Sequence, residues 1–380
     1  MGHARGGYYG FYAHASMTIG VILHPYGENK PAGLARGILE FTRGMIANDA
    51  QNDYIIFVKK IPRVMPDFPG HRWRLEVLGT GWLWLTRLKN KSPADVYLFN
   101  TPVVPFFWKP KRAIVLAWDY GYLAFPPVNA CVYALRDALK KRIVFWYHGR
   151  SLRRADHIIA VSEATRRETM RLFGIPAEKI SVVYCGYKKV CDAAETPIPL
   201  PEKFFLFIGV VKERKNVMNI VRAFALFYKK HHDHTLVIGG NATGECADAV
   251  RAYISKEGLG NAVRFIGHLN DGQLSYIYRR AEALVFPSFV EGFGYPVLEG
   301  MDCGIPVITS NISSLAEIGG PAALLVDPHS PPAIAEAMMR IADEPMLRDT
   351  LIKKGVQWKQ NFSWDKAGRE LIVLCAAQKN

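Results

Sequence analysis

The sequence lacks any apolar run of the length that a membrane-spanning helix needs. Such a helix takes roughly 18 consecutive apolar residues, whereas the most apolar stretches here, such as Ile114–Ala117 and Ala283–Pro287, have the length of buried strands. Internal repeats and low-complexity tracts are also lacking. With 49% apolar and 22% charged residues, the composition excludes a disordered, collagen-like or coiled-coil chain. At ~100–200 residues per domain, the length predicts two or three globular domains.

Cysteine is scarce, with six residues scattered at positions 131, 185, 191, 246, 303 and 375. None of them forms a Cys-x-x-Cys pair or has histidine neighbours at zinc-binding spacing. We therefore expect reduced thiols in a cytoplasmic protein. Residues 1–16 are rich in glycine, tyrosine and histidine and lack the apolar core of a signal peptide, so they are left out of the fold assignment.

Positive charge is concentrated in the first half of the chain. Up to residue 195 there are 28 basic and 15 acidic residues, whereas the remainder has 20 and 19. The densest part, from Lys59 to Lys91, interleaves its lysines and arginines with Trp73, Trp82 and Trp84. Basic residues mixed with tryptophan are typical of a surface that lies on an anionic membrane. A solvated helix face with tryptophans in the core is an equally good interpretation of this segment.

Strand-like apolar runs alternate with amphipathic segments from Thr18 to Val326, which is the pattern of parallel βαβ units. A proline-rich stretch ending at Pro201 interrupts the pattern, which then restarts at Phe204. The sequence therefore predicts an α/β protein with two doubly wound, Rossmann-like domains, at residues 17–195 and 196–362. A final helix follows at residues 363–380. Ligands of such sheets bind beyond the carboxyl ends of the strands, so we expect a cleft between the domains.

The most informative motif extends from Pro287 to Val307. A buried strand ends at Pro287, a loop with Gly292 and Gly294 follows, and Pro296 is placed for the first turn of a helix. Free amides at such a helix start would point towards a ligand. Glu291 and Glu299 bracket the loop, and each carboxylate can accept hydrogen bonds from a pair of sugar hydroxyls. Alternatively, Glu291 caps the loop and Glu299 is a solvated helix residue.

This motif resembles a known family. The spacing Glu-Gly-Phe-Gly-x-Pro-x-x-Glu, from Glu291 to Glu299, looks like the signature of the retaining glycosyltransferases of the GT-B fold, in the large family-four (group 1) branch. Similar segments occur in the family's order at Ala155–Glu163, Phe207–Asn216, Gly267–Leu274, Ser310–Gly320 and Ser363–Asp365. The resemblance extends over roughly residues 110–366, and its details are most similar to mannosyltransferases that use a guanine nucleotide. It implies that the last helix crosses back to the first domain.

Cleavage of a nucleotide sugar places negative charge on the departing diphosphate, and the site must stabilise that charge. The chain contains no Asp-x-Asp pair that would hold a metal, so we expect no metal and no cofactor. Arg214 and Lys215 follow a predicted strand and are the candidates to bind the diphosphate. They could instead be surface charges next to the following helix.

The resemblance assigns the remaining site residues. It implies that Glu291 contacts the transferred sugar and that Glu299 holds the ribose. Asp119, which follows a buried strand, would orient the acceptor or merely cap a turn. The other donor-binding positions are the loop residues Gly292, Phe293, Gly294 and Tyr295, then Leu298, Gly209, the base-proximal His268 and Leu269, and Gly33 near the diphosphate.

Two positions depart from the family pattern. Trp118 stands where the family usually has histidine, which casts doubt on a histidine-assisted step and suggests an altered donor or acceptor choice, or an acceptor stacked on the indole. Tyr184-Cys-Gly-Tyr-Lys188 replaces the family's Pro-Asn-Gly-x-Asp and keeps only Gly186.

We therefore predict a metal-independent retaining hexosyltransferase that uses a nucleotide sugar, with mannose favoured. Its acceptor would be a glycan or a lipid-linked molecule, and the basic N-terminal half would contact an anionic membrane from the cytoplasmic side. No nucleic-acid recognition motif is present. A sugar phosphorylase or nucleotide-sugar epimerase on the same fold, and a non-catalytic anion- or lipid-binding module, remain the alternatives.

Overall fold

The computed structural model of the protein describes residues 16–26, 32–81, 83–124 and 131–377. Within these ranges the chain forms two parallel sheets with helices on their faces, which confirms the predicted α/β class. The strands are β1 (Thr18–Ile22), β2 (Asp53–Val58), β3 (Trp73–Val77), β4 (Val96–Phe99), β5 (Ala113–Ala117), β6 (His157–Ala160), β7 (Ile180–Val182), β8 (Phe204–Ile208), β9 (Thr235–Gly239), β10 (Val263–Gly267), β11 (Ala283–Phe286), β12 (Val307–Ser310) and β13 (Leu324–Val326).

The helices lie between these strands and after the last one. They are α1 (Ala32–Ala47), α2 (Gly121–Ala124), α3 (Cys131–Arg154), α4 (Glu163–Phe173), α5 (Val217–Tyr228), α6 (Glu245–Lys256), α7 (Asp271–Tyr278), α8 (Tyr295–Asp302), α9 (Ser313–Gly319), α10 (Pro331–Asp343), α11 (Pro345–Trp358) and α12 (Trp364–Ala376). Of the helices in the described part of the chain, none is both long and apolar enough to cross a bilayer.

When the strands of each sheet are numbered along the chain, the two sheets have the same order, except that the first sheet has one more strand at its end. The first lobe has the order β3-β2-β1-β4-β5-β6-β7, and the second lobe has the order β10-β9-β8-β11-β12-β13. Central strands such as β5 and β11 are buried along their whole length, because helices cover both faces of a parallel sheet. This burial explains why the central strands were recognisable as short, continuous apolar runs.

The segment from Lys59 to Lys91 does not form the helix that one interpretation of the sequence required. It contains the edge strand β3 and a 3₁₀ helix at Trp84–Asn90, while Trp82 lies outside the described residues. Trp84 is buried and Trp73 is half-buried against Phe68. The strand was missed because its sequence, Trp-Arg-Leu-Glu-Val, alternates polar and apolar residues at a sheet edge, where only part of a strand is covered.

The expectation of reduced cysteines is wrong for one pair. Cys191 and Cys303 form a disulfide with their Cα atoms 5.4 Å apart, whereas Cys185, Cys246 and Cys375 are free. The pair is separated by 112 residues, and its members become neighbours only in the folded chain. The thiol argument for a cytoplasmic protein therefore no longer holds.

The last helix, α12, packs against the first lobe rather than the second. Its contacts are mainly with α1, and Phe41 of that helix lies edge-on to Trp364 at 5.1 Å between ring centroids. The Arg112 guanidinium donates to the carbonyl oxygens of Leu374 and Cys375 at 2.8 and 2.7 Å. The last helix thus binds the end of the chain to the first lobe.

Candidate active site

The strand order of each sheet places a crevice at a defined point. The order reverses between β1 and β4 in the first lobe and between β8 and β11 in the second. At such a switch point the loops after the two strands diverge and leave room for a ligand. In the second lobe, the loop after β8 carries Arg214 and Lys215, and the loop after β11 carries Glu291. Two segments that are distant in sequence therefore meet at one crevice.

Glu291 forms ion pairs with both predicted diphosphate ligands. The Arg214 Nη1 atom donates to Glu291 Oε2 at 3.0 Å, and the Lys215 Nζ atom lies 2.5 Å from Glu291 Oε1. Lys215 also lies over the ring of Phe286, with Nζ 4.7 Å from its centroid. Only 9% of the Glu291 side chain and 14% of the Lys215 side chain are exposed, against 33% of Arg214. The alternative that Arg214 and Lys215 are merely surface charges next to the following helix is therefore wrong.

Burial and charge act against each other at this cluster. Burial by itself would raise the pKa of Glu291, but the neighbouring Lys215 and Arg214 charges outweigh it and hold the pKa below its usual value. Burial lowers the pKa of Lys215, the Glu291 carboxylate opposes that change, and Arg214 adds to it. The cluster thus keeps an ionised carboxylate beside two cationic groups in a site largely shielded from water.

The loop after β11 is held by two serines. The Glu291 amide donates to Ser313 Oγ at 3.1 Å, and the hydroxyls of Ser313 and Ser314 both donate to the Glu291 carbonyl oxygen at 2.9 Å. Ser314 Oγ lies equally close, at 2.9 Å, to the carbonyl oxygen of Phe293, so its single proton is shared between the two carbonyl groups. These bonds leave the side chain of Glu291 in place for the ion pairs described above.

The two glycines of this loop are required by its geometry. Gly292 lies so close to the first lobe that a Cβ atom on it would be 2.3 Å from the Trp118 carbonyl oxygen. Gly294 has φ +115°, in the left-handed region, and precedes the first residue of α8. Phe293 is buried, and the amides from Phe293 to Tyr295 precede the first intrahelical hydrogen bond. The loop therefore turns its backbone towards the crevice.

Glu299 lies one turn into α8 and has different surroundings. Its Oε2 atom accepts a hydrogen bond from the hydroxyl of Tyr278, which is fully buried, at 3.2 Å. Burial raises the pKa of Glu299, and the positive charge of Arg36 on α1 only partly opposes that effect. Glu299 is thus shielded from water, and the positive charge of Arg36 from the opposite lobe acts on it. The alternative that Glu299 is a solvated helix residue is therefore wrong.

Asp119 borders the same crevice from the first lobe. Its Oδ1 atom accepts the Gly121 amide at 3.0 Å, so the predicted turn-capping contact is present. A Cβ atom placed on Gly292 would lie 3.2 Å from the Asp119 Cβ atom, and the Asp119 charge acts on Lys215. The turn contact uses one carboxylate oxygen and leaves the other for a further partner.

Trp118 is not available for stacking with an acceptor. Only 9% of it is exposed, and its indole N–H donates to the carbonyl oxygen and Oδ1 atom of Asn100 at 2.8 and 3.0 Å. Its ring packs edge-on against Phe41 at 5.8 Å between centroids. The interpretation of this residue as a stacking platform is therefore wrong, and its role is to position the backbone that contacts Gly292.

The remaining predicted residues lie at the carboxyl edges of the two sheets. Gly209 follows β8 and donates its amide to the Gly239 carbonyl oxygen at 2.9 Å, while His268 and Leu269 follow β10. Gly33 lies in the first turn of α1. The Leu298 side chain is fully buried, so this residue supports α8, while the half-buried Tyr295 ring lies 6.2 Å from that of Trp364.

Sequence reasoning missed three residues that the structure adds to the site. Tyr278 and Arg36 act on Glu299, as described above. Glu317 on α9 connects the lobes, because its carboxylate accepts the amides of Glu163 and Ala164 at 3.0 and 2.9 Å and the hydroxyl of Tyr184 at 3.0 Å. Arg36 lies within the glycine-bearing segment at residues 33–37 and Glu317 within the family-like segment Ser310–Gly320, which could have identified them, whereas Tyr278 belongs to no recognised motif.

A cleft of about 320 Å³ opens between the lobes behind the Glu291 loop. Its floor is formed by Phe289 and Val290, and one wall by α4 with Arg167, Glu168 and Arg171. Burial raises the pKa of Glu168, against the opposing charge of Arg171. Within the described ranges no group of three or more His, Cys, Asp or Glu side chains is placed to hold a metal ion.

Two family models match this chain, one in each lobe. The description "Glycosyl transferases group 1" matches residues 192–358, and "Glycosyltransferase Family 4" matches residues 33–188. The O-antigen chain mannosyltransferase B of Escherichia coli is 30% identical over 232 residues, which cover 58% of this chain and 61% of that protein. The match therefore spans about three fifths of the relative's length.

Solved structures show the same fold. Sucrose-phosphate synthase from Thermosynechococcus elongatus superposes with a TM-score of 0.73 at 20% identity, over 94% of this chain and 98% of its own. Anabaena HepE, in complex with UDP and glucose, superposes with a TM-score of 0.70 at 15% identity, over 96% and 100%. Since the two family matches together extend over both lobes and the fold agrees, this chain belongs to the group 1 glycosyltransferases of the GT-B fold.

Proposed function

We propose that the protein transfers a hexose, with mannose favoured, from a nucleotide sugar to a glycan or lipid-linked acceptor, with retention of configuration and without a metal. The observation that carries this proposal is the convergence of Glu291, Arg214 and Lys215 at the switch point of the second sheet. In this proposal the departing diphosphate lies beside these fixed positive charges. The O-antigen chain mannosyltransferase B of Escherichia coli supports mannose as the sugar, and the guanine nucleotide rests on the resemblance of the sequence motifs.

The residues divide the chemistry between them. Glu299 binds the ribose hydroxyls, the amides of the Glu291 loop and the Glu291 carboxylate bind the transferred sugar, and Arg214 and Lys215 bind the diphosphate. As the bond between the anomeric carbon and the donor phosphate breaks, negative charge grows on the leaving oxygen, and the two cations stabilise it. Removing one preorganised group of this kind typically slows turnover by about 10²–10³-fold.

Retention follows from a same-face reaction in this proposal. The acceptor oxygen attacks the anomeric carbon from the side of the departing diphosphate, and its proton passes to a phosphate oxygen of the donor. A covalent route would need a free carboxylate nucleophile, whereas Glu291 is engaged in two ion pairs. Asp119 holds the acceptor hydroxyl for the attack through the oxygen that its turn contact leaves free.

The donor is tested by thermal shift with GDP-mannose, GDP, UDP-glucose, ADP-glucose and dTDP-glucose. We expect GDP-mannose to give the largest stabilisation, and Lys215→Ala to reduce affinity by roughly 10–100-fold, as the loss of a charged hydrogen bond predicts. Lys212→Ala, an exposed lysine of the same loop, is the matched control and should bind as the unmodified protein does. Equal shifts by all nucleotides, or none, would contradict the donor assignment.

The reaction class and metal independence have their own test. With GDP-mannose and a mannose-terminated oligosaccharide, we expect release of GDP and an elongated product whose anomeric proton signal in NMR matches that of the donor. Addition of EDTA should leave the initial rate unchanged. Release of mannose 1-phosphate from the oligosaccharide by inorganic phosphate alone would instead show a phosphorylase.

A further inference from the structure

One face of α3 exposes large apolar side chains to solvent. Leu139, Ile143 and Trp146 recur at the spacing of a single helix face and are 60%, 58% and 54% exposed. The opposite side of the helix packs on the lobe, since Phe145 stacks on Phe173 at 4.9 Å between ring centroids. The helix therefore has a covered apolar side and a second, uncovered apolar side.

The exposed stripe continues onto the loop between β4 and β5. The ring of Phe106 lies 4.9 Å from that of Phe107 and 6.2 Å from that of Trp146, and Phe107 is 79% exposed. We call the surface formed by Phe106, Phe107, Leu139, Ile143 and Trp146 the α3 face. Contiguous apolar patches of this kind on a protein surface mark interaction sites.

The α3 face lies within strong positive charge. Residues 138–155 contain the six basic residues Lys140, Lys141, Arg142, Arg150, Arg153 and Arg154 and no acidic residue. The Arg150 guanidinium lies 3.9 Å from the Phe106 ring centroid, and both Arg150 and Arg154 donate to the Phe106 carbonyl oxygen, at 3.0 and 3.4 Å. The exposed side chains of Lys140 and Arg142 place further positive charge beside this face.

We propose that the α3 face docks on a lipid bilayer with anionic headgroups. Phenylalanine, tryptophan and leucine flanked by lysine and arginine are the composition of surfaces that insert into the headgroup region. Each basic residue near an anionic leaflet adds to the attraction. The bilayer is favoured over a second copy of this chain because the chain is itself strongly positive, with a net charge of +14, so that two such faces repel each other.

This surface differs from the membrane surface that one of two equally weighted interpretations of the sequence placed at Lys59–Lys91. Membrane docking deepens the proposed function, because it would bring the protein to a lipid-linked acceptor. The docking itself does not depend on that acceptor. The Tyr122 hydroxyl on α2 is 2.9 Å from His148 Nδ1 on α3, and α2 follows Asp119 by two residues. The α3 helix is therefore hydrogen-bonded to the element that follows the acceptor-side residue Asp119.

Vesicle flotation without substrate tests the proposal separately from catalysis. The protein is mixed with vesicles of phosphatidylcholine alone or of phosphatidylcholine with phosphatidylglycerol, and we expect recovery with the anionic vesicles only. The variant Phe107→Ser with Ile143→Gln removes apolar contacts, and Lys140→Gln with Arg142→Gln removes charge. Each pair should weaken binding by roughly tenfold or more.

Matched controls come from equally exposed residues elsewhere. Ile61→Gln with Val64→Gln, at 70% and 74% exposure, tests the surface at Lys59–Lys91, and Lys353→Gln with Lys354→Gln tests non-specific charge. Both should float as the unmodified protein does, and all variants should keep their thermal shift with GDP-mannose. Three results would overturn the proposal. They are equal flotation with both vesicle types, loss of flotation only in the Ile61 and Val64 variant, and a dimer in sedimentation velocity that depends on the α3 face and forms without flotation.

Discussion

Glu291 and Glu299 are eight positions apart on the same loop and helix, yet their surroundings shift their pKa values in opposite directions. Glu291 has two cations at ion-pairing distance and a lowered pKa, whereas Glu299 has a tyrosine hydroxyl, more distant charges and a raised pKa. A carboxylate needs nearby positive charge to offset the cost of burial. Glu299 lacks that compensation until a ligand supplies hydroxyl donors, so its burial favours binding at the expense of stability.

We predict that Glu299→Gln stabilises the protein without ligand but weakens nucleotide binding. A carboxyl group with a raised pKa binds protons in the folded state that the unfolded state has lost, so stability falls as the pH rises from the ordinary carboxyl value through the raised one. The advantage of the Glu299→Gln variant in thermal unfolding should therefore grow with pH across this window. Nucleotide affinity should fall roughly 10–100-fold.

The exposed Glu336 on α10, changed to Gln, is the matched control for this prediction. It should change neither the pH dependence of unfolding nor the nucleotide affinity. A Glu299→Gln protein less stable than the unmodified one at every pH would show that the Tyr278 contact outweighs the cost of burying the charge.

At the scale of single elements, the loop between β8 and α5 depends on Asn216. This residue adopts the left-handed conformation, with φ +60°, and its amide donates to the carbonyl oxygens of Pro287 and Pro328 at 2.9 and 2.7 Å. It thereby holds the loop of Arg214 and Lys215 next to the loop that leads to Glu291. The side chain is 3% exposed, so water cannot replace these bonds.

We predict that Asn216→Ala lowers the free energy of unfolding by about 2–4 kcal/mol, since it removes two buried hydrogen bonds and adds backbone strain. The Pro328 carbonyl oxygen keeps a second donor, the Asn219 amide at 3.1 Å. Asn216→Gly removes the same hydrogen bonds without the strain and should be less destabilising by about 1 kcal/mol. Urea unfolding measures both values. If the two variants are equally stable, backbone conformation contributes nothing at this position.

Most elements were predictable from the sequence because buried parallel strands are short apolar runs and helices show a 3.6-residue period. The start of α4 shows such a local signal, because Ser162 is a residue type that favours helix N-caps and its hydroxyl accepts the Thr165 amide at 3.1 Å. The strand β3 and the α3 face were not predicted. An edge strand has no continuous apolar run, and the exposure of one helix face depends on what packs against that helix.

At the scale of the whole molecule, the two lobes meet through Glu317. Its carboxylate caps the first turn of α4 in the first lobe, where the exposed amides and the helix dipole favour a negative charge. The Tyr184 hydroxyl completes the contact. The α4 amides and the Tyr184 hydroxyl belong to the first lobe and to the segment that follows it, whereas Glu317 belongs to the second lobe. Glu317 therefore stabilises the arrangement of the lobes in which Gly292 contacts Trp118.

We predict that Glu317→Ala lowers the free energy of unfolding by about 1–3 kcal/mol and loosens the contact between the lobes. Small-angle X-ray scattering should show a larger radius of gyration for the variant. This increase should become smaller on addition of a nucleotide sugar that binds both lobes. Glu257→Ala, an exposed acidic residue on the second lobe, serves as the control. An unchanged scattering curve would show that other contacts suffice to hold the lobes.

The fold class, the alternation of strands and helices and the loop with Glu291, Gly292, Gly294 and Glu299 could be predicted from the amino-acid sequence, because these features depend on neighbours along the chain. The pairing of charges could not, because it depends on how the chain folds. Arg214 and Glu291 are 77 residues apart, Trp118 is buried by contacts with Asn100, and Cys191 lies beside Cys303. Pairing and exposure depend on which distant segments pack together, and local sequence patterns do not record that information.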